Sequence, residues 1–213
     1  MFDPETFRKY YSPEDVIHGF DHVWRVVKLA RRLAWLEGAD EQIVEAAAWL
    51  HDAQDLDGET QKHSRLQHQD ESAAIAGAVL AGWGWPMTRI SAVQHCIRAH
   101  RFRSSMEMPQ TLEAKTLFDA DKLDAIGAVG AARAIGYAVQ RGEPFYARPS
   151  PSFLQEGVLE EGEHHSAYHE FVFKLGKLKD RLYTASGRQL AEERHAFMVD
   201  FFQRLQAECE VEG

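Results

Sequence analysis

Ala46-Ala47-Ala48-Trp49-Leu50-His51-Asp52-Ala53-Gln54-Asp55 is an apolar helical run that ends abruptly in an adjacent His-Asp pair. Two polar groups at the end of a greasy helix gain little there unless something binds them. An imidazole nitrogen is a borderline ligand and a carboxylate oxygen a hard, charged one, so the pair suits a divalent ion of the transition series. Two ligands do not complete a site. The chain offers His22 upstream and Asp121 downstream, each within its own helical pattern, giving the order His, then His-Asp, then Asp.

Outward from this stretch the hydrophobic spacing is helical. Val23, Val26, Val27, Ala30, Leu33 and Ala34 recur at the intervals of one helix face, with Arg25, Lys28, Arg31 and Arg32 between them. Asp21 is the expected cap of that helix and Glu37-Gly38 its end, which places His22 in the first turn. Asp40 then caps the helix in which Ile43, Ala46, Ala47 and Leu50 form the buried stripe. A polar connection from Asp55 to Gln69 carries His63 and His68. Pro86 can open a helix running through Ile90, Val93 and Ile97 to His100, and another spans Glu113 to Asp124. Ala125 to Gln140 is small and apolar, as close helix packing requires.

From Gly142 to Gly162 the chain loses periodicity around Pro144, Pro149 and Pro151, and an irregular loop is expected over about 142–162, either a lid or a connector. Helices are expected again over about 164–208, with Phe171, Leu175, Leu178 and Leu182 on one side and a second helix from about Thr184. No alternating strand pattern occurs, so the fold class is all-α.

The 213 residues suffice for one sizeable core, and a single domain over 1–213 is expected because no compositional break divides them. Acidic residues number 33 against 24 basic, a formal charge of -9, which argues against a broad surface for nucleic-acid polymers or anionic membrane. No run of about eighteen apolar residues is present. Cys96 and Cys209 lie far apart in no metal-like spacing, and a reducing, cytoplasmic setting is expected.

The pattern His22, His51-Asp52, Asp121 resembles that of the HD-domain metal-dependent phosphohydrolases, and the likeness extends beyond the four residues. Gly19-Phe20-Asp21-His22-Val23-Trp24-Arg25-Val26, Ile97-Arg98-Ala99-His100 and Asp119-Ala120-Asp121-Lys122-Leu123-Asp124-Ala125-Ile126-Gly127 look like consecutive family signatures. The late segments Tyr168-His169-Glu170-Phe171 and Glu193-Arg194-His195-Ala196-Phe197-Met198 are similar to a small bacterial subgroup that resembles nucleotide pyrophosphohydrolases. The resemblance implies a compact helical bundle with a metal-ligand core over about 18–130, in which His22, His51, Asp52 and Asp121 converge on one divalent ion. Manganese, iron, cobalt, nickel, zinc and magnesium are all compatible with two imidazoles and two carboxylates.

It also implies a hydrolase acting on a small phosphorylated compound, a nucleotide being the leading class. Asp55, three residues after Asp52, stands where related members carry a proton-transfer acid, and His100 where they carry a pocket histidine. Arg25, one turn beyond His22, and Lys122, next after the last ligand, are the cations expected to meet phosphate. His68 and His95 lie between the dyad and the last aspartate, where some relatives bind a second metal, so a dinuclear iron oxygenase is an alternative. A non-catalytic nucleotide-binding regulator is another. The sequence leaves the oligomeric state open.

Overall fold

The computed structural model describes residues 2–15, 17, 19–54, 68–101 and 107–211, and among them every regular element is helical. In chain order these are α1 (Glu5–Arg8), α2 (Phe20–Glu37), α3 (Glu41–Leu50), α4 (His68–Gly82), α5 (Met87–Ala99), α6 (Leu112–Asp124), α7 (Gly127–Gln140), α8 (Pro151–Glu156), α9 (Ala167–Phe173) and α10 (Ala185–Cys209). No described helix is long and apolar enough to cross a membrane. The chain gathers into two compact units, one of residues 1–121 with 183–187, the other of 122–182 with 188–213.

The first unit is built around α3, which packs against α2, α4 and α5. Every residue of α3 from Ile43 to Leu50 is buried, Glu45 included, so burial extends around the helix rather than along the expected stripe. That is the composition of a core helix, and each fully buried large side chain such as Leu50 contributes roughly 1.5–3 kcal/mol. The Asp40 side chain accepts from the amides of Gln42 and Ile43, as a cap should, and also takes a forked pair of bonds from Arg89 (2.8 and 3.0 Å). Gly38 closes α2 in the left-handed region at φ 73°, which costs a glycine little.

The start of α2 differs from expectation. Gly19, not Asp21, is the capping residue, and Asp21 lies inside the first turn. A Cβ at position 19 would stand 2.0 Å from the Asp15 carbonyl oxygen, so close backbone approach fixes a glycine there. Asp21 instead places its negative charge at the positive end of the helix.

The second unit pairs α7 with α9. Gly130, Ala131, Ala134 and Ala138 are the buried residues along α7, in keeping with its small-residue composition. Within the stretch expected to be irregular, α8 forms because the Ser150 hydroxyl accepts from the Phe153 amide and Pro151 supplies a preset φ in the first turn. Glu163 ties this region together: it accepts from the amides of Ser150 and Glu160 (both 2.7 Å) and meets Nε2 of His169 at 3.0 Å. Burial pushes its carboxyl up, but these donors outweigh it and hold the pKa at about 2. Phe171, Leu175, Leu178 and Leu182 are all buried, yet not on one continuous helix. After α9 the chain passes through two short 3-10 turns, Leu175–Lys177 and Lys179–Arg181, in which residues three apart share a face.

Candidate metal centre

His22 sits in the first turn of α2 and is 2 % exposed. His51 follows α3 as its capping residue and is fully buried, with Asp52 next to it. Single ligand atoms of His22, His51 and Asp52 lie within 4.8 Å of one another. Asp52 Oδ2 is 3.7 Å from His51 Nε2 and 4.0 Å from His22 Nε2. Asp121 joins from α6, its Oδ1 standing 3.6 Å from His22 Nε2.

The tautomer of His51 follows from its surroundings. Nδ1 is 2.8 Å from the Ala48 carbonyl oxygen, which can only accept, so Nδ1 carries the proton. Burial, the largest influence, lowers the ring's pKa to about 4 despite the opposing pull of Asp52, so the imidazole is neutral near pH 7. Nε2 is therefore an unprotonated lone pair, buried and without a hydrogen-bond partner among the described residues. A buried acceptor in that condition costs free energy unless something fills it. Beside the Asp52 carboxylate and a second imidazole, it fits a divalent cation, and an Nδ1-H held by a backbone carbonyl is the usual support of a metal-binding imidazole.

His100 also reaches this place. Capping α5, it is 4 % exposed, with Nδ1 bonded to the Ile97 carbonyl (2.5 Å) and Nε2 3.5 Å from Asp52 Oδ1. The His51 ring meets His22 and His100 edge to face at centroid distances of 5.4 and 5.2 Å. Arg25 is half-buried one turn beyond His22 on α2, and Lys122 is buried in the last turn of α6. Asp55 lies outside the described residues, as does the side chain of His68. His95 is elsewhere engaged: Nδ1 meets Glu107 Oε1 at 2.5 Å and Nε2 accepts from the Gln110 amide at 3.2 Å, so the protein occupies both its nitrogens.

Two further residues support this region, Tyr11 without any sequence signal and Asp119 within the last of the quoted signatures. Tyr11, 38 residues before Trp49, donates its hydroxyl to the Trp49 carbonyl at 2.5 Å. Burial, with the Asp52 charge a smaller influence, pushes that phenol well above its ordinary pKa, so it stays a donor. Asp119, two residues before Asp121, is fully buried and accepts from the amides of Tyr183 and Thr184 and from the Thr184 hydroxyl. It holds the start of α10 and is spoken for by those donors.

An HD domain family model matches residues 19–126, a stretch that contains all four expected ligands. The chain belongs to the HD-domain family. The uncharacterized protein YpgQ of Bacillus subtilis (strain 168) is 36% identical to it over 193 residues, covering 89% of this chain and 83% of that one. A crystal structure of YpgQ in complex with ADP superimposes with a TM-score of 0.72 at 31% identity, over 98% of each chain. An HD-superfamily hydrolase from Bacillus thuringiensis superimposes with a TM-score of 0.70 at 28% identity, over 98% of this chain and 96% of that one. The fold is thus that of the HD-superfamily hydrolases, and its His22, His51 and Asp52 form a cluster able to hold a metal ion.

Proposed function

We propose that this HD domain is a metal-dependent phosphohydrolase acting on a nucleotide, with one divalent ion held by His22, His51, Asp52 and Asp121. The observation that carries the proposal is the buried, unprotonated Nε2 of His51, which has no hydrogen-bond partner among the described residues, beside the Asp52 carboxylate. The nucleotide class draws support from YpgQ, whose structure contains ADP.

A divalent ion in this place supplies a Lewis acid that polarises a phosphoryl oxygen and orients the attacking water. Two carboxylate ligands offset much of its charge, so the chain must bring a base of its own, and Asp55 is proposed for that role. His100, whose Nε2 lies 3.5 Å from Asp52 Oδ1, is proposed as the pocket histidine that meets a substrate oxygen. Arg25 is proposed to hold phosphate from its position one turn past His22, and Lys122 is retained as a second phosphate cation on its place in the sequence. A mononuclear centre is favoured over a dinuclear one because both nitrogens of His95 are engaged by protein.

Attack at the α-phosphorus of a nucleoside triphosphate breaks its bond to the bridging oxygen and yields a nucleoside monophosphate and pyrophosphate. Attack on a monophosphate yields a nucleoside and phosphate. Phosphorus NMR of the products from manganese-loaded protein, offered nucleoside tri-, di- and monophosphates, distinguishes these reactions. Absence of turnover with every one of them, under each of the six candidate metals, contradicts the hydrolase reading and favours a nucleotide-binding regulator.

A further inference from the structure

We propose that Tyr11 is a positioning residue for the His51-Asp52 dyad, acting through the backbone at the end of α3; this rests on reading the dyad as part of a metal centre. The last carbonyl groups of a helix have no partner within it, and where they are buried something else must satisfy them. At the end of α3 each such partner bears on the dyad. The Ala48 carbonyl takes Nδ1-H of His51 (2.8 Å), the Trp49 carbonyl takes the Tyr11 hydroxyl (2.5 Å), and the Leu50 carbonyl takes the Ala53 amide (3.2 Å). Just beyond, the Gln54 amide donates to the Tyr10 carbonyl at 3.0 Å.

Tyr10 and Tyr11 therefore grip the chain at two points, Trp49 on one side of His51-Asp52 and Gln54 on the other. The grip is itself seated in apolar packing. Tyr11 is 5 % exposed, and Phe7, fully buried, stacks on the Trp49 ring at 4.9 Å with the planes 5° apart. Phe20 and Trp24 cover Trp49 further at 5.9 and 5.2 Å. Tyr10 and Tyr11 both precede residue 19, so this support lies outside the stretch that the family model matches.

Removing the Tyr11 hydroxyl leaves the buried Trp49 carbonyl unpaired, and the backbone can relieve that only by shifting. The neighbouring Ala48 carbonyl, which aims the His51 ring, moves with it. Metal affinity depends on ligand geometry held to within a fraction of an ångström, so the loss reaches the centre without touching a ligand.

The test is calorimetric titration of Mn2+ into metal-free wild type, Tyr11→Phe and Tyr168→Phe. Tyr168 is the control because it too donates its hydroxyl within the protein, to Gln206 at 2.7 Å, in the second unit. Tyr11→Phe should weaken Mn2+ binding about tenfold, as loss of an outer support typically does, and shift the visible ligand-field bands of Co2+-loaded protein. Tyr168→Phe should do neither while lowering thermal stability by a similar amount. Equal Mn2+ affinity in Tyr11→Phe and wild type overturns the proposal, as does equal weakening in both variants. If Tyr11→Phe does not fold, Phe7→Leu keeps the hydroxyl and loosens its seat; it should weaken Mn2+ binding, and unchanged affinity overturns the proposal. Failure of wild type itself to bind any divalent ion refutes the metal reading rather than the grip.

Discussion

The Ala48 carbonyl accepts from Nδ1 of His51, and burial holds the ring's pKa at about 4, so folded protein keeps this imidazole neutral well below the usual titration point. The unfolded chain takes up a proton near pH 6.5, the ordinary value. Between those limits the unfolded state binds more protons, so stability contributed by His51 is fully present above about pH 6.5 and is lost as pH falls toward 4. At about pH 5 the loss is roughly 2 kcal/mol. Urea unfolding of metal-free wild type and His51→Asn should show that pH-dependent loss in the first and not the second; parallel pH profiles contradict it. Asp55→Ala should abolish turnover while leaving metal bound, checked by rate and metal content on the same sample; surviving turnover moves the base elsewhere. The dyad was legible because its oddity is local, two polar groups ending an apolar run. Tyr11 was not, because its contact with Trp49 spans 38 residues and follows no spacing rule.

Helix boundaries set by neighbouring residues could be read directly. Asp40 and Gly38 act within their own turns, and both do what their residue types suggest. Asp40→Ala removes a cap and a half-exposed pairing with Arg89, and should cost about 1–2 kcal/mol in urea unfolding. A change below a few tenths of a kcal/mol would mean that other donors restore the start of α3. Other boundaries differ from what residue type and spacing suggest. Gly19, not Asp21, is the cap, and the Asp15 carbonyl leaves no room for a Cβ there. The short α8 hides among three prolines, although Ser150-Pro151 carries a cap and a first-turn proline side by side. Leu175, Leu178 and Leu182 read as one helix because spacings of three and four fit a 3.6-residue period, whereas the chain turns through two 3-10 segments.

At the level of the molecule, the all-α class followed from the lack of any alternating pattern, and the described residues contain helices alone. The clustering into two units leaves no mark in composition, since both are assembled from helices with the same mixture of small apolar and charged residues. The formal charge of -9 limits the partners rather than naming one, and it makes a localised cation centre the natural way for this chain to take an anionic phosphate. His22, Asp52 and Asp121 come from three separate helical patterns; their order was legible, whereas the approach of Asp52 to 4.0 Å and of Asp121 to 3.6 Å from His22 Nε2 belongs to the fold. The central claim, one ion used for phosphate hydrolysis, is tested most directly by titrating Mn2+ into metal-free protein while following nucleotide turnover. Activity that rises with added metal and levels off at one equivalent per chain is the expected result. No activity at any ratio, or a plateau reached only at two equivalents, would contradict it.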